Sequence, residues 1–373
     1  MKNLNILPLF LSILVDSVGW GVVFPVFDTL IIGNVVGILP VDTSLLMRNV
    51  YFELLIGVYC LGMFLASPVL GSYSDRYGRK KLLVLSLLGG AIGFLICGLG
   101  IWRMSIALLF LGRIVSGLTA GNFAIAQAAI ADQSDEKTFP KYLSLIVLAN
   151  GIGFACGPGI GGLLFDQNIW HHVSYLSPFI IMAMGLLIVA LLLNFLFHES
   201  FSGDRKQATN LWLGVRQVYQ AFALPRVRIY FIVLLFFFIG YTIFFSNLPI
   251  FLKTRFAAGG TSVGYLMTYF AIIFTLGLIW ILPKLTARFS LRGISLVSIV
   301  IQVIGYLIFL FSYNEILIWL VLAPLALTIP FVYVNQVSLI SANTESNNQG
   351  KMMGVVGSVI ALTWGGGPLP PVR

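Results

Sequence analysis

Gly71-Ser72-Tyr73-Ser74-Asp75-Arg76-Tyr77-Gly78-Arg79-Lys80-Lys81 is the densest charged run in a chain that is otherwise almost entirely apolar. Apolar segments long enough to cross a bilayer flank it, Phe52 to Leu70 before and Leu82 to Ile101 after. Glycine tolerates backbone conformations that other residues avoid, so the run reads as a loop with its turn at Tyr77-Gly78-Arg79. Four cations beside one carboxylate hold such a loop on the cytoplasmic side of a membrane. On charge alone the run is a topology anchor.

Composition fixes the class. A chain of 373 residues could hold two or three soluble domains, but this one is 59% hydrophobic and 9% charged, with mean hydropathy +0.98. Soluble domains carry about 25% charge. The chain is therefore expected to be an all-α polytopic membrane protein. Its net charge of +9 sits in short loops. That distribution fits topology and contact with anionic headgroups, not nucleic acid. Cys60, Cys97 and Cys156 lie in apolar runs without paired spacing, so neither a disulfide framework nor a metal site is expected. The adjacent His171-His172 reads as loop polarity. No phosphate-binding Gly-x-x-x-x-Gly-Lys-Ser/Thr motif and no nucleophile elbow occurs, which argues against ATP-driven transport and against an enzyme. No cofactor is expected.

Eleven spans follow in order: Ile6–Phe27, Phe52–Leu70, Leu82–Ile101, Ile106–Ala131, Tyr142–Phe165, Tyr175–Phe197, Ile229–Leu252, Val263–Leu282, Ile294–Phe311, Ile316–Leu339, and one starting at Met352. The first lacks a small-x-small cleavage site and carries Asp16 at its middle, so it reads as an uncleaved span. With the N terminus inside, sixteen Lys and Arg fall in cytoplasmic loops and five outside, leaving Arg113 within span four. That bias sets the orientation. The polar stretch 199–228, with Asp204, Arg205, Lys206, Arg216, Arg226 and Arg228, divides the chain. Leu211 to Phe222 within it is amphipathic enough to lie along the membrane surface. The expected organisation is an N-terminal six-helix bundle (1–198), a cytoplasmic linker (199–228) and a C-terminal bundle of five spans (229–373).

The halves echo each other. Pro283 to Gly293 answers Gly71 to Lys81 at an offset of 212, matching Arg76 to Arg288 and Lys80 to Arg292. Gly157-Pro158 answers Gly367-Pro368 at an offset of 210, and Pro25 in span one matches Pro249 in span seven. A duplicated six-helix unit places a substrate site between its copies.

Several stretches have specific spacing. The loop reads Gly71-x-x-x-Asp75-Arg76-x-Gly78-Arg79-Lys80. Span four carries Arg113, Gly117 and Gly121 four apart, which sets one cation and two small residues on one helical face. Span five carries Gly153, Gly157, Pro158, Gly161 and Gly162; as a glycine stripe it predicts close helix packing, with Pro158 bending the helix. Together these resemble the major facilitator superfamily, in the branch of drug:proton antiporters that includes multidrug and tetracycline-resistance proteins. The loop resembles the family's signature between helices two and three, and Gly-x-x-x-Gly-Pro-x-x-Gly-Gly resembles its antiporter motif. Asp16 to Pro25 is similar to span one of that branch. The resemblance covers essentially the whole chain and implies a major facilitator fold, two pseudo-symmetric bundles of six plus five spans. Family members have twelve spans. The Gly365-Gly366-Gly367-Pro368 ending reads as an early stop of helix eleven, so a truncated product is one expectation.

The resemblance implies a secondary active transporter, a proton-coupled antiporter exporting small amphipathic compounds or drugs by alternating access. Its partners are a small-molecule substrate, protons and the lipid bilayer; it is a monomer of the inner (plasma) membrane. A family importer, a metabolite exporter and a truncated non-transporting remnant are the alternatives. Asp16 and Arg113 are the two ionisable groups deep within spans, where charge is costly and faces a bundle interior or a wet cavity. One reading pairs them to hold helices together; the other has Asp16 exchange a proton, since burial and neighbouring charge pull a carboxyl in opposite directions. The resemblance adds a proton-relay role for Arg113. It also implies a cytoplasmic latch of Asp75, Arg76 and Arg79, with Asp75 at the start of helix eleven and Asp132 as an arginine partner. Trp20, Asn122, Gln127, Tyr241, Asn247, Tyr269, Asn335 and Gln336 are the substrate-contact candidates.

Overall fold

A computed structural model describes residues 6–34, 37–135, 137–164, 174–199, 213–256 and 260–365. His171-His172, the linker residues Asp204, Arg205, Lys206 and Trp212, and the stretch 366–373 lie outside the described residues.

With no water in hydrocarbon to satisfy backbone N–H and C=O groups, a spanning segment closes its hydrogen bonds within itself as helix. The regular elements of the described residues are accordingly all helices, without strands. In order the helices are α1 (Ile6–Phe27), α2 (Leu45–Tyr77), α3 (Arg79–Trp102), α4 (Ile106–Leu118), α5 (Asn122–Ala131), α6 (Phe139–Leu163) and α7 (Ser177–Leu196). Then come α8 (Leu213–Ala223), α9 (Arg228–Phe256), α10 (Gly260–Leu276), α11 (Leu282–Thr286), α12 (Leu291–Phe311), α13 (Glu315–Ala342) and α14 (Gln349–Gly365). Ten helical segments among the described residues are long and apolar enough to cross a membrane. The eleventh expected span is α14, which runs for 17 residues.

Three boundaries differ from the sequence reading. The run 71–81 is not an extended loop: α2 continues to Tyr77, α3 starts at Arg79, and Gly78 alone is non-helical. Gly78 has φ +101°, a conformation glycine takes without a Cβ penalty, so one residue makes the whole turn. The segment 28–47 is also not all loop, since a π turn over Asp28–Ile32 extends α1 and α2 starts at Leu45. Span four is broken. Thr119 turns its hydroxyl back onto the carbonyls of Val115 (2.9 Å) and Ser116 (3.2 Å), and α4 stops at Leu118. Competition of this kind for backbone carbonyls bends helices. Gly121 therefore caps α5 and does not continue the face that Arg113 and Gly117 share on α4.

The helices pack in two compact units. The first holds α1–α5, α7, α14 and α6 from Ala149 onward; the second holds α9–α13 and α6 up to Leu148. In the first, glycines set the helix separations. On α6, a Cβ at Gly153 would meet the Leu14 carbonyl oxygen at 2.6 Å, at Gly157 the Cα of Gly21 at 2.7 Å, and at Gly161 the Val22 oxygen at 2.9 Å. The stripe is thus the seam with α1, whereas Gly162 faces open space. On α14, Gly354 lies against the backbone of Pro68, and Ser358 donates to the Phe64 carbonyl at 2.6 Å, so α14 runs closely along α2. The second unit has an apolar core of Leu248, Leu252, Leu266, Phe270, Phe309, Ile318, Leu322, Ala326 and Ile329, drawn from α9, α10, α12 and α13. One helix start falls at the offset expected of the repeat. Helix α12 begins at Leu291, 212 residues after Arg79, behind the N-cap Ser290.

Candidate functional site

Two polar constellations occupy the first unit. One surrounds the Gly78 turn. Asp75 is 3% exposed and Arg79 0%. The Arg79 guanidinium meets Asp75 at 2.6 Å and donates from Nε to Asp132 at 2.8 Å, from Nη2 to Asp132 at 3.3 Å and from Nη1 to the Ser74 hydroxyl at 2.6 Å. Asp75 also accepts from the backbone N–H groups of Gly350 (2.9 Å) and Lys351 (2.8 Å), the first turn of α14. Those N–H groups have no partner within their own helix, and the helix dipole favours an anion there. One arginine thus ties together the ends of α2 and α5 and, through Asp75, the start of α14. At Asp132, outside the spans, burial raises the carboxyl above its ordinary range while Arg79 pulls it down. The Arg76 guanidinium lies 5.1 Å from the ring centre of Tyr77.

Glu199, beyond α7, completes this constellation and has no signal in the local sequence. Its carboxylate accepts from the backbone N–H of Arg79 (2.8 Å) and of Lys80 (3.2 Å). It caps α3 from 120 residues away, where Gly78 has no side chain to do so.

The second constellation lies inside the helices. Asp16 of α1, Tyr59 of α2 and Arg113 of α4 line one small cavity with Trp20, Ser86 and Ser116. Its volume of about 10 Å³ is close to the lower limit for one water. Arg113 is 3% exposed, donates from Nε to the Leu55 carbonyl at 3.2 Å and lies 4.3 Å over the Tyr59 ring. Among the described residues no ion pair joins it to Asp16. The reading in which the two simply neutralise each other is therefore not what the structure contains. Asp16 instead lies beside the side chain of Asn122. Asn122 is the first residue of α5, placed there by the break in span four. Trp20 adds an aromatic wall, 6.1 Å from Tyr59, 5.5 Å from Phe154 and 6.0 Å from Trp364. Phe154 and Trp364 have no motif to single them out among many apolar aromatics.

A family model described as Major Facilitator Superfamily matches residues 9–368. The chain belongs to the Major Facilitator Superfamily. Among curated relatives, the tetracycline resistance protein, class C, of Escherichia coli is 28% identical over 381 residues, covering 99% of this chain and 89% of that protein. Multidrug resistance protein 1 of Bacillus subtilis (strain 168) is 24% identical over 290 residues, covering 78% and 69%. Among solved structures, the human organic anion transporter MFSD10 (TETRAN) superposes with a TM-score of 0.79 at 17% identity, covering 97% of this chain and 91% of that one. The proton:xylose symporter XylE superposes with a TM-score of 0.74 at 15% identity, covering 96% and 85%. These two likenesses show the fold.

The remaining sequence candidates of this major facilitator transporter are scattered. Gln127 is buried on α5. In the second unit Tyr241 packs 6.0 Å from Phe238 and 5.6 Å from Phe245, while Tyr269 stacks edge-on to Trp319 at 5.2 Å. Asn247 is exposed and donates to its own helix at Ile243 (2.8 Å). Asn335 and Gln336 are buried in α13. Asn335 is 0% exposed, yet neither its amide nitrogen nor its carbonyl oxygen has a hydrogen-bond partner among the described residues; the Gln336 carbonyl also lacks one. An orphaned buried polar group costs about 1–3 kcal/mol. Asn335→Leu is therefore expected to raise the melting temperature in detergent and to lower substrate transport. A fall in melting temperature would show that the amide is already satisfied.

Proposed function

We propose that this transporter is a proton-coupled antiporter that exports small amphipathic compounds, tetracycline-like molecules among them, by alternating access. In this reading the N terminus is cytoplasmic and the protein resides in the inner membrane. The observation that carries the proposal is the cavity holding Asp16 and Arg113 without an ion pair between them. A carboxyl deep in a span, next to a buried cation that does not neutralise it, can hold or release a proton at modest cost in either state. The names of the curated relatives, tetracycline and multidrug resistance proteins, support drugs as cargo. The buried Asp75–Arg79–Asp132 network supports a cytoplasmic latch, closed when α14 lies on Asp75. Asp75→Asn then slows turnover more than it weakens substrate binding.

The test uses inverted membrane vesicles with an imposed acid-inside gradient, with tetracycline and a fluorescent cationic dye as probes. Accumulation of either probe that collapses on adding an uncoupler is expected. Accumulation indifferent to the uncoupler, or none with the protein shown to be inserted, would overturn the proposal.

A further inference from the structure

A groove of about 470 Å³ runs between α3 and α7, at the end of α3 next to the Gly78 turn. Its mouth carries Lys80 and Lys81, with Asn194 from the last turn of α7. Its wall is apolar: Val84, Leu85 and Leu88. Lys81, Leu85 and Leu88 fall at helical spacing on one face of α3, so charge at the mouth passes directly into hydrocarbon along a single stripe. Leu85 is 56% exposed and Leu88 37%, in a helix apolar enough to span a membrane, so this face looks onto lipid. Among the described residues neither lysine ammonium has an ion-pair or hydrogen-bond partner, although the backbone of Lys80 is held by Glu199.

We propose that this groove binds an anionic glycerophospholipid, its phosphate on Lys80 and Lys81 and one acyl chain along Val84, Leu85 and Leu88. The occupant follows from the order of the groups. Two unpaired cations sit at the level of the headgroups, above an apolar channel about 10 Å long from Lys81 to Leu88. A soluble anion uses only the first part and a neutral lipid only the second. The Glu199 carboxylate at the same helix end opposes an anion but is engaged by the N–H groups of Arg79 and Lys80, and the two lysines outweigh it. The site has a consequence for the transporter. Lys80 follows Arg79 in the chain, so a lipid that holds the first turn of α3 also holds the residue that joins Asp75 to Asp132. The lipid would favour the state in which that network is formed. The inference rests on the membrane-spanning fold and does not depend on what is transported.

The experiment reads binding and not transport. Purified full-length protein in detergent is given phosphatidylglycerol or phosphatidylcholine of the same chain length. The melting temperature and the lipid retained in native mass spectrometry are recorded. Phosphatidylglycerol is expected to raise the melting temperature by several degrees more than phosphatidylcholine and to remain bound at one copy. The Lys80→Gln/Lys81→Gln double variant should lose that preference. Leu85→Trp, which fills the groove and leaves both lysines, should lose the retained lipid. Should the double variant not fold, Lys81→Gln, an exposed position, is expected to halve the preference or more. Equal stabilisation by the two lipids would overturn the proposal. So would retention by Leu85→Trp, or an equal shift from glycerol 3-phosphate alone, since each removes the need for a groove holding a chain.

Discussion

Asp16→Asn is expected to reduce gradient-driven export to the level of vesicles without the protein, while insertion and substrate binding persist. Asparagine keeps the shape and the place beside Asn122 but cannot ionise. The cavity then holds one fixed positive charge, that of Arg113, in every state of the cycle. Under the proposed mechanism the free energy of the gradient enters only through a group that is charged on one side and neutral on the other. Removing that group uncouples the gradient from the substrate without unmaking the fold, because Arg113 does not depend on Asp16 for its contacts; it bonds to Leu55 and lies over Tyr59. Asp16→Glu, which keeps the charge with one extra methylene in a cavity of about 10 Å³, should retain part of the activity. Substrate binding to purified Asp16→Asn separates loss of coupling from loss of the site. Full proton-driven export by this variant would place the coupling group elsewhere.

The fold was legible because it is written in local signals. A membrane span needs only length and apolarity, so α1, α3, α7, α12 and α13 lie close to the apolar runs that predict them. Gly78 among charged residues marked the turn, although it could not show that the polar residues 71–77 stay helical where α14 supplies donors to Asp75. The break after Leu118 was hidden. Ile106 to Ala131 is apolar throughout, and Thr119 acts by a back-bond that any span could tolerate. That break decides the site, since it sets Asn122 at the start of α5 beside Asp16. Sequence reasoning marked Asn122 for substrate and Asp16 for protons, with nothing to join them. Glu199 was illegible for another reason. A capping carboxylate 120 residues from its helix has no periodicity and no spacing, only a place in space. The orphaned state of Asn335 is likewise a property of its neighbours and not of its own sequence.

Arg79→Gln is expected to have the largest effect on stability of any single change near the turn. Two carboxylates, Asp75 and Asp132, share this one buried cation, with contacts of 2.6, 2.8 and 3.3 Å. Removing one member of a buried ionic network costs on the order of 3–5 kcal/mol, because the partners remain buried without compensation. Asp75 keeps its two N–H donors from α14, so the greater part of the loss falls on Asp132, whose strongest contacts go to Arg79. That asymmetry yields a test sharper than the single variant. Asp132→Asn removes the stranded charge and keeps an oxygen acceptor, so the double variant Arg79→Gln/Asp132→Asn should be more stable than Arg79→Gln alone. Melting temperatures of the wild type, both single variants and the double close the cycle, and the coupling is expected at about 1–3 kcal/mol. The shift should also resist salt, because the network is excluded from solvent and screening acts mainly on exposed charges. Strictly additive single effects, or a shift that vanishes in high salt, would mean that Arg79 is held by packing alone. The arginine would then be a support for the turn, and the latch would have to be carried by the contact between Asp75 and the first turn of α14.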